Sequence, residues 1–477
     1  TNGNADASWN PNASSSVNSI LVNGSDIYAG GGFTTIGGLS RSYAAKLNNT
    51  TGAADATWNP KPNSIVNTIA VSGTSVFVGG SFFLFGAQTM NGIARINNQN
   101  GRLDSSWTPN PSGGISSIVV SGSDIYVGGF FTSIGGQSRN YIAKLNNTNG
   151  NADASWNPNA GSSVVAIAVN GTDVYASGYF TSIGGQSRNR IAKLNNTNGN
   201  ADATWNPNAS SLVKTLAVSG NDIYAGGQFT TIGGQTRNYI AKLNNTNGNA
   251  DAAWDANANN IVNIITINGS DIYAGGNFFT IGGQARNCIA KLNNTNGNAD
   301  ASWNPGSNSS VLAIAISGAN IYAGGDFSSI GGQSRNKIAK LNNTTGAADA
   351  SWNPGANDFV YSMAAVDNDV YAGGAFNTVN NYFSYKFCLF TPRILPVELS
   401  SFTSNVNGNN VTLNWSTVQE ENNKGFEIER NSSGAGWKKI GYMEGKGTTS
   451  QAQYYSFKDN ALSTGSYHYR IKQIDYN

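Results

Sequence analysis

Thr148-Asn149-Gly150-Asn151-Ala152-Asp153-Ala154-Ser155-Trp156 occurs three times unchanged, the other copies being Thr1–Trp9 and Thr295–Trp303. Its tryptophan belongs to a longer series, Trp9, Trp58, Trp107, Trp156, Trp205, Trp254, Trp303 and Trp352, spaced 49 residues apart without insertion or deletion. A fixed period of roughly 20 to 50 residues marks a solenoid, a propeller or an array of small modules, because each copy buries its apolar face on the next. The chain therefore reads as one unit repeated up to about residue 392, and its function is to be sought where the copies differ.

Each unit shows four short apolar runs, which in the fourth copy are Val164–Val169, Asp173–Ser177, Arg190–Asn195 and Ala201–Asn206. Asn170-Gly171 separates the first pair and Asn198-Gly199 the last, and Asn-Gly between apolar runs is a strong hairpin signal. No run of ten residues carries apolar side chains at helical spacing, so four antiparallel strands per unit are expected, and a ring of such blades fits the period. Aromatic columns such as Tyr126, Tyr175 and Tyr224, with Phe131, Phe180 and Phe229, supply the bulk that must lie between blades. The array opens with a lone fourth strand, Ala5–Asn10, and its last copy lacks one. Pairing Ala5–Asn10 with Tyr385–Phe390 closes an eight-bladed ring and removes both sheet edges. Thr1 opens in mid-repeat, which reads as a processed or truncated product.

Composition narrows the partners. Charged residues make up 11% of the chain and the net charge is +2, against about 25% charged in a typical soluble domain. No basic run offers the attraction that nucleic acid or an anionic membrane requires, and no apolar stretch approaches the roughly 20 residues of a membrane span. Cys288 and Cys388 are the two cysteines; they fall in corresponding strands of units six and eight, too far apart in a ring to be bridged, and are expected as free thiols.

Val164-Val165-Ala166-Ile167-Ala168-Val169, Asp173-Val174-Tyr175-Ala176, Phe180, Ile183-Gly184-Gly185, Arg188-Asn189-Arg190-Ile191-Ala192-Lys193-Leu194-Asn195 and Asp202-Ala203-Thr204-Trp205-Asn206-Pro207 form a pattern that resembles the delta-60 repeat family of bacterial β-propellers, over residues 1–392. The resemblance implies a secreted or surface propeller and brings no catalytic motif. Tryptophan-aspartate propellers fit less well, since their signatures are missing apart from Trp254-Asp255.

From Leu395 the repeat vanishes. Val411-Thr412-Leu413-Asn414-Trp415, Gly425–Arg430, Trp437–Tyr442 and Tyr467–Lys472 alternate as strands, with a Trp early and a Tyr late, which suggests a fibronectin-III-like sandwich over 395–477 that lacks its last strand. The stretch from Leu395-Pro396-Val397-Glu398-Leu399 to Gln473-Ile474-Asp475 resembles the module preceding the sorting tail in cargo of the type IX secretion system. That likeness implies export and contact with the secretion machinery.

No catalytic residue is assigned. The single histidine, His468, sits on a predicted sandwich strand, and without it no triad can be built. Glu420 and Glu421 are adjacent, so they point apart in an extended chain and read as a solvated loop. The glycines from Gly30 to Gly38 follow a strand but precede no helix, so they read as turn and packing glycines and not as a phosphate cradle. The recurring acids Asp6, Asp55, Asp104, Asp153, Asp202, Asp251, Asp300 and Asp349 lack the dense carboxylate spacing of a calcium loop and are expected to pair locally, as are the recurring arginines Arg41, Arg139, Arg188, Arg237, Arg286 and Arg335. No cofactor or metal is expected.

Three columns vary sharply within the otherwise uniform unit: Asn18, Asn67, Ser116, Val165, Lys214, Asn263, Leu312, Tyr361 at the start of the first strand; Gly32, Ser81, Phe130, Tyr179, Gln228, Asn277, Asp326, Ala375 after the second; and Tyr43, Gly92, Tyr141, Arg190, Tyr239, Cys288, Lys337, Lys386 before the third. In a meander all three fall on one rim, and Phe130, Tyr179, Gln228, Tyr141, Arg190 and Tyr239 concentrate aromatic and polar contact chemistry there. The expectation is an exported, non-enzymatic adhesin or binding scaffold whose rim meets a protein or glycan at the cell exterior. A subunit of a surface assembly and a polysaccharide-active enzyme are the alternatives.

Overall fold

A computed structural model describes residues 9–85, 88–366, 369–379, 382–383, 386–390, 397–432, 436–449 and 451–475. These residues form strands, turns and extended segments, and no helix. The chain divides into two compact units, Asn2–Thr391 and Pro392–Asn477.

The repeat folds the same way in each copy. In the fourth, Val164–Asn170 pairs with Asp173–Gly178 through a tight turn at Gly171, whose φ of 60° suits glycine, and Asp173–Gly178 pairs in turn with Ile191–Asn195. The middle strand buries five residues in succession, Val174 to Gly178, so both of its faces are covered. Eight such three-stranded sheets occur among the described residues.

The fourth expected strand, Ala201–Asn206, contributes one bridge, Leu194↔Ala201. The carboxylate of Asp202 accepts bonds from the amides of Thr204 and Trp205 and from the Thr204 hydroxyl, which turns the chain away. Pro207 then has no N–H to extend a ladder. A hairpin that the sequence did not suggest, Ser182–Ile183 against Gln186–Ser187, meets this segment instead, Gly184 O accepting from the Ala201 amide. A Cβ on Gly184 would lie 2.2 Å from Ala201 N, so the paired glycines serve turn geometry and close packing.

Trp205 is buried and links neighbours: its ring meets Tyr175 of its own unit edge-on, and its Nε1 donates to Asn244 O of the next. Trp58, Trp107, Trp156, Trp254, Trp303 and Trp352 are likewise at most 4% exposed, as the aromatic columns led us to expect. The first and last sheets use the same contacts. Trp9 Nε1 donates to Asn48 O at 2.9 Å while its ring lies edge-on to Tyr371 and Phe387. Gly373 abuts Val17 and Ile20 as Gly30 abuts Val66 and Ile69. The expected pairing of Ala5–Asn10 with Tyr385–Phe390 falls largely outside the described residues.

In the second unit one 23-residue strand, Asn410–Ser432, serves two ladders. Its first half lies between Val397–Asn407 and Gln453–Asp459, and its second half between Lys438–Thr449 and Tyr467–Asp475. Val411, Leu413 and Trp415 from the first half pack in one core with Phe426 and Ile428 from the second. Glu420, expected in a solvated loop, is instead 2% exposed where the strand passes from one ladder to the other. It accepts bonds from Thr417 Oγ1, Asn423 Nδ2, the Lys446 amide and the Tyr455 hydroxyl. These donors outweigh the burial that alone would raise its pKa, and hold it below the usual range.

Candidate binding rim

The three variable columns coincide with three backbone singularities. Each residue of the first column, Val165 among them, is skipped by the ladder between its first and second strands, so it forms a β-bulge. A bulged residue is left unpaired by the ladder, which frees its side chain from the cross-strand pattern. Every residue of the third column holds positive φ, from 58° at Gly92 to 66° at Arg190. A non-glycine residue there costs roughly 1–2 kcal/mol. Backbone bonds tie the columns together: Phe130 N donates to Gly114 O just before the first strand, Gly129 N to Tyr141 O, and Tyr141 N to Phe131 O. The equivalent bonds join Tyr179 to Ser163 and Gly178 to Arg190.

The six candidate residues do not share one environment. Phe130 and Tyr179 are 59% and 47% exposed, and Gln228 is exposed as well. Tyr141, Arg190 and Tyr239 are half-buried. Tyr141 packs on the cluster around Trp156 and Tyr239 on that around Trp254. These tyrosines therefore wedge against the next sheet, and that packing offsets their backbone strain. Arg190 Nη1 donates to Tyr179 O at 2.6 Å, so its guanidinium is committed within its own unit.

Ile65, Phe83 and Phe279 are exposed apolar residues that escaped the sequence reading, and Tyr361, a member of the first variable column, is exposed as well. Phe83 and Phe279 interrupt a column that elsewhere holds Thr34, Thr132, Thr181, Thr230, Ser328 and Asn377, and that break in a polar column was the available signal. Tyr361 stacks on Phe359, over which Lys337 Nζ lies at 5.7 Å while pairing with Asp326.

The opposite end of the units varies less: five of the eight units carry an Asp-Lys-Asp set, which Ser75, Asn320 and Leu389 break in the other three. Lys242 bridges Asp222 and Asp251 at 3.1 and 3.4 Å and donates to Asn294 O of the next unit, stapling neighbours together. A recess of about 310 Å³ lies there, lined by Asp222, Lys242, Asn244, Asn247, Asn249 and Asp251. The lysine occupies the position between the carboxylates that a cation would need, and among the described residues no group of three acids, histidines or cysteines is arranged to hold a metal. The recurring acids also cap turns, as Asp202 does. Asp349 is held at about 2: burial would raise it, but the Ser351 hydroxyl, Lys340 and the Ser351 amide outweigh that effect.

The recurring arginines are structural too. Arg188 is 4% exposed and donates to the carbonyls of Ser187, Asp202, Ala203 and Trp205, which clamps the turn before the tryptophan. Cys288 and Cys388 are buried free thiols; burial pushes Cys288 up to about 11 and Cys388 well above its ordinary value. Both stay unreactive thiols at neutral pH. His468 is exposed on Tyr467–Asp475 beside Asn431.

Five stretches, 123–155, 174–204, 221–253, 271–302 and 320–351, match the family described as "Domain of unknown function (DUF5122) beta-propeller". The fold is thus a repeat β-propeller of all-β units, and the matched family has no assigned function. No curated protein matches the chain. Among solved structures, an exo-beta-1,3-galactanase from Phanerochaete chrysosporium, crystallised with beta-1,3-galactotriose, is similar at 10% identity over 97% of this chain and 95% of its own, with a TM-score of 0.25. A likeness that weak carries no argument.

Proposed function

We propose that the protein is an exported, non-enzymatic binding scaffold: an eight-bladed propeller that presents its variable rim to a protein or glycan at the cell exterior, followed by a fibronectin-III-like module lacking its last strand. The observation that carries this reading is the coincidence of all three variable columns with a bulge, a strand end and a left-handed residue on one rim. Identity changes most where the backbone releases side chains from the repeat, while the opposite end keeps its Asp-Lys-Asp staple in five of the eight units. Rigid scaffolds place recognition on such segments. The likeness of the last 80 or so residues to type IX cargo supports export, with the secretion machinery as a further partner.

The test converts Phe130, Tyr179 and Arg190 together to Ala. Binding to a glycan array or to cell-surface protein baits is expected to vanish, while stability falls by no more than about 2 kcal/mol, since Phe130 and Tyr179 are exposed and half-buried Arg190 loses one hydrogen bond. Intact binding, or a partner mapped to the opposite rim or to the C-terminal unit, would refute the reading.

A further inference from the structure

In the second unit one outer strand is left open on both faces. Val397–Asn407 pairs with Asn410–Ser432 and, among the described residues, with no other strand. From Ser401 to Asn407 its register is regular, and every residue from Leu399 to Asn407 is exposed. Phe402, Ser404 and Val406 stand opposite Trp415, Leu413 and Val411, so they lie on the face that forms the core. Those three partners are at most 7% exposed, yet Phe402 is 37% and Val406 69% exposed. The two ladders close on the other side of Asn410–Ser432, where a Cβ on Gly441 would lie 2.2 Å from the Phe457 ring, so no room is left between them there. Val397–Asn407 and the Phe457 strand flank Asn410–Ser432 on opposite sides, which leaves the first of them away from that contact.

An open edge presents unpaired N–H and C=O groups, and proteins commonly blunt it with charge. The other outer strands of this unit carry such charges: Lys439 and Lys446 on Lys438–Thr449, Lys458 on Gln453–Asp459, and Arg470 and Lys472 on Tyr467–Asp475. Leu399–Asn407 holds no charged residue and no proline. Its sequence is also complementary to itself. Laid antiparallel on a second copy about Ser404, it sets Phe402 opposite Val406, Thr403 opposite Asn405 and Ser401 opposite Asn407, each pair occurring twice. Directly opposite residues of an antiparallel pair share a face and interact, so apolar meets apolar on the core side and polar meets polar on the other. A slip of one residue would place Phe402 opposite Asn405 and turn the two apolar faces to opposite sides.

We infer that Ser401–Asn407 is a dimerisation edge: a second copy of this chain joins it antiparallel about Ser404, in a twofold contact that continues the ladder of one copy into the other. The occupant is a second copy because Phe402 and Val406 become each other's cross-strand neighbours, and no charge on the strand has to be buried or left unpaired. A strand from a strongly acidic or basic partner finds no counter-charge on this edge. The contact is confined to one short strand, so the dimer forms in a concentration-dependent way. It stands apart from the binding role proposed for the propeller rim.

Sedimentation velocity of the full chain over about a hundredfold range of concentration tests this, and the mass is expected to rise from one copy to two. Thr403 and Asn405 are exposed and would face each other across the twofold axis, so paired substitutions there read the register. Thr403→Lys with Asn405→Lys sets lysine against lysine twice and is expected to weaken the dimer about tenfold or more. Thr403→Lys with Asn405→Glu sets lysine against glutamate twice and is expected to keep the dimer within about threefold of the parent. The two variants change the same exposed positions, so the second, with its melting curve in place, shows that the fold tolerates the changes. A single-copy mass at every concentration, a double-lysine variant that dimerises as the parent does, or an equal loss in both variants overturns the inference.

Discussion

The Trp9 indole meets Phe387 edge-on with ring centroids 5.2 Å apart, so the start of the repeat array packs on its last sheet. Trp9→Ala is accordingly expected to cost about 3–5 kcal/mol, as for a large buried residue truncated in a core. Trp205→Ala, in the middle of the array, should cost the same within error in urea unfolding. A near-neutral Trp9→Ala beside a costly Trp205→Ala would show that the two ends do not support each other.

Acid should loosen the propeller. The Asp349 carboxyl, at about 2 in the folded chain, compares with about 3.9 in an unfolded one. Its bonds to Lys340 and Ser351 therefore stabilise fully above about pH 4 and are lost as pH falls through 2. Asp55, Asp104, Asp153, Asp202 and Asp300 are shifted in the same direction. Unfolding free energy should fall between about pH 4 and 2, and Asp349→Asn should flatten part of that slope. An equal slope in the variant would remove Asp349 from the account.

Tyr141 holds a φ of 64° while wedged against the cluster around Trp156. Tyr141→Gly relieves the strain and loses the packing, for a net change within about 1 kcal/mol. Tyr141→Val places a β-branched residue in the left-handed region and should cost about 2 kcal/mol or more. Thermal melts of the pair check the ordering, and a valine variant as stable as the glycine variant would contradict it.

Glu420 gathers four donors at the point where Asn410–Ser432 passes between ladders. In Glu420→Gln the amide N–H₂ can turn to the Thr417 and Tyr455 hydroxyls, which can accept, but the charge-assisted bonds are lost, for an expected cost of about 2 kcal/mol. Faster amide hydrogen exchange along Asn410–Ser432, with protection in the propeller unchanged, is the predicted signature. Unchanged exchange would mean the bend does not depend on the carboxylate.

The 49-residue tryptophan period, the Asn-Gly turns and the aromatic columns were enough to read an all-β repeat ring, since each is a local rule of strand pairing or core burial. The buried tryptophans followed, because a large apolar residue kept at one position of every unit has to fill the gap between neighbours. Local rules could not tell that the fourth strand shrinks to one bridge, which depends on Asp202 capping a turn and on the hairpin of Ser182–Ser187 filling the place beside it. Nor could they separate Phe130, open to solvent, from Tyr141, which lies in the same variable rim yet turns into the next sheet. Glu420 was misread for the same reason: adjacency in sequence says where two carboxylates point relative to each other, not which donors a distant strand brings. Pattern and period are properties of neighbours along the chain and determined the architecture. Exposure and strain arise where separate units meet, and only the packed tertiary structure decided them.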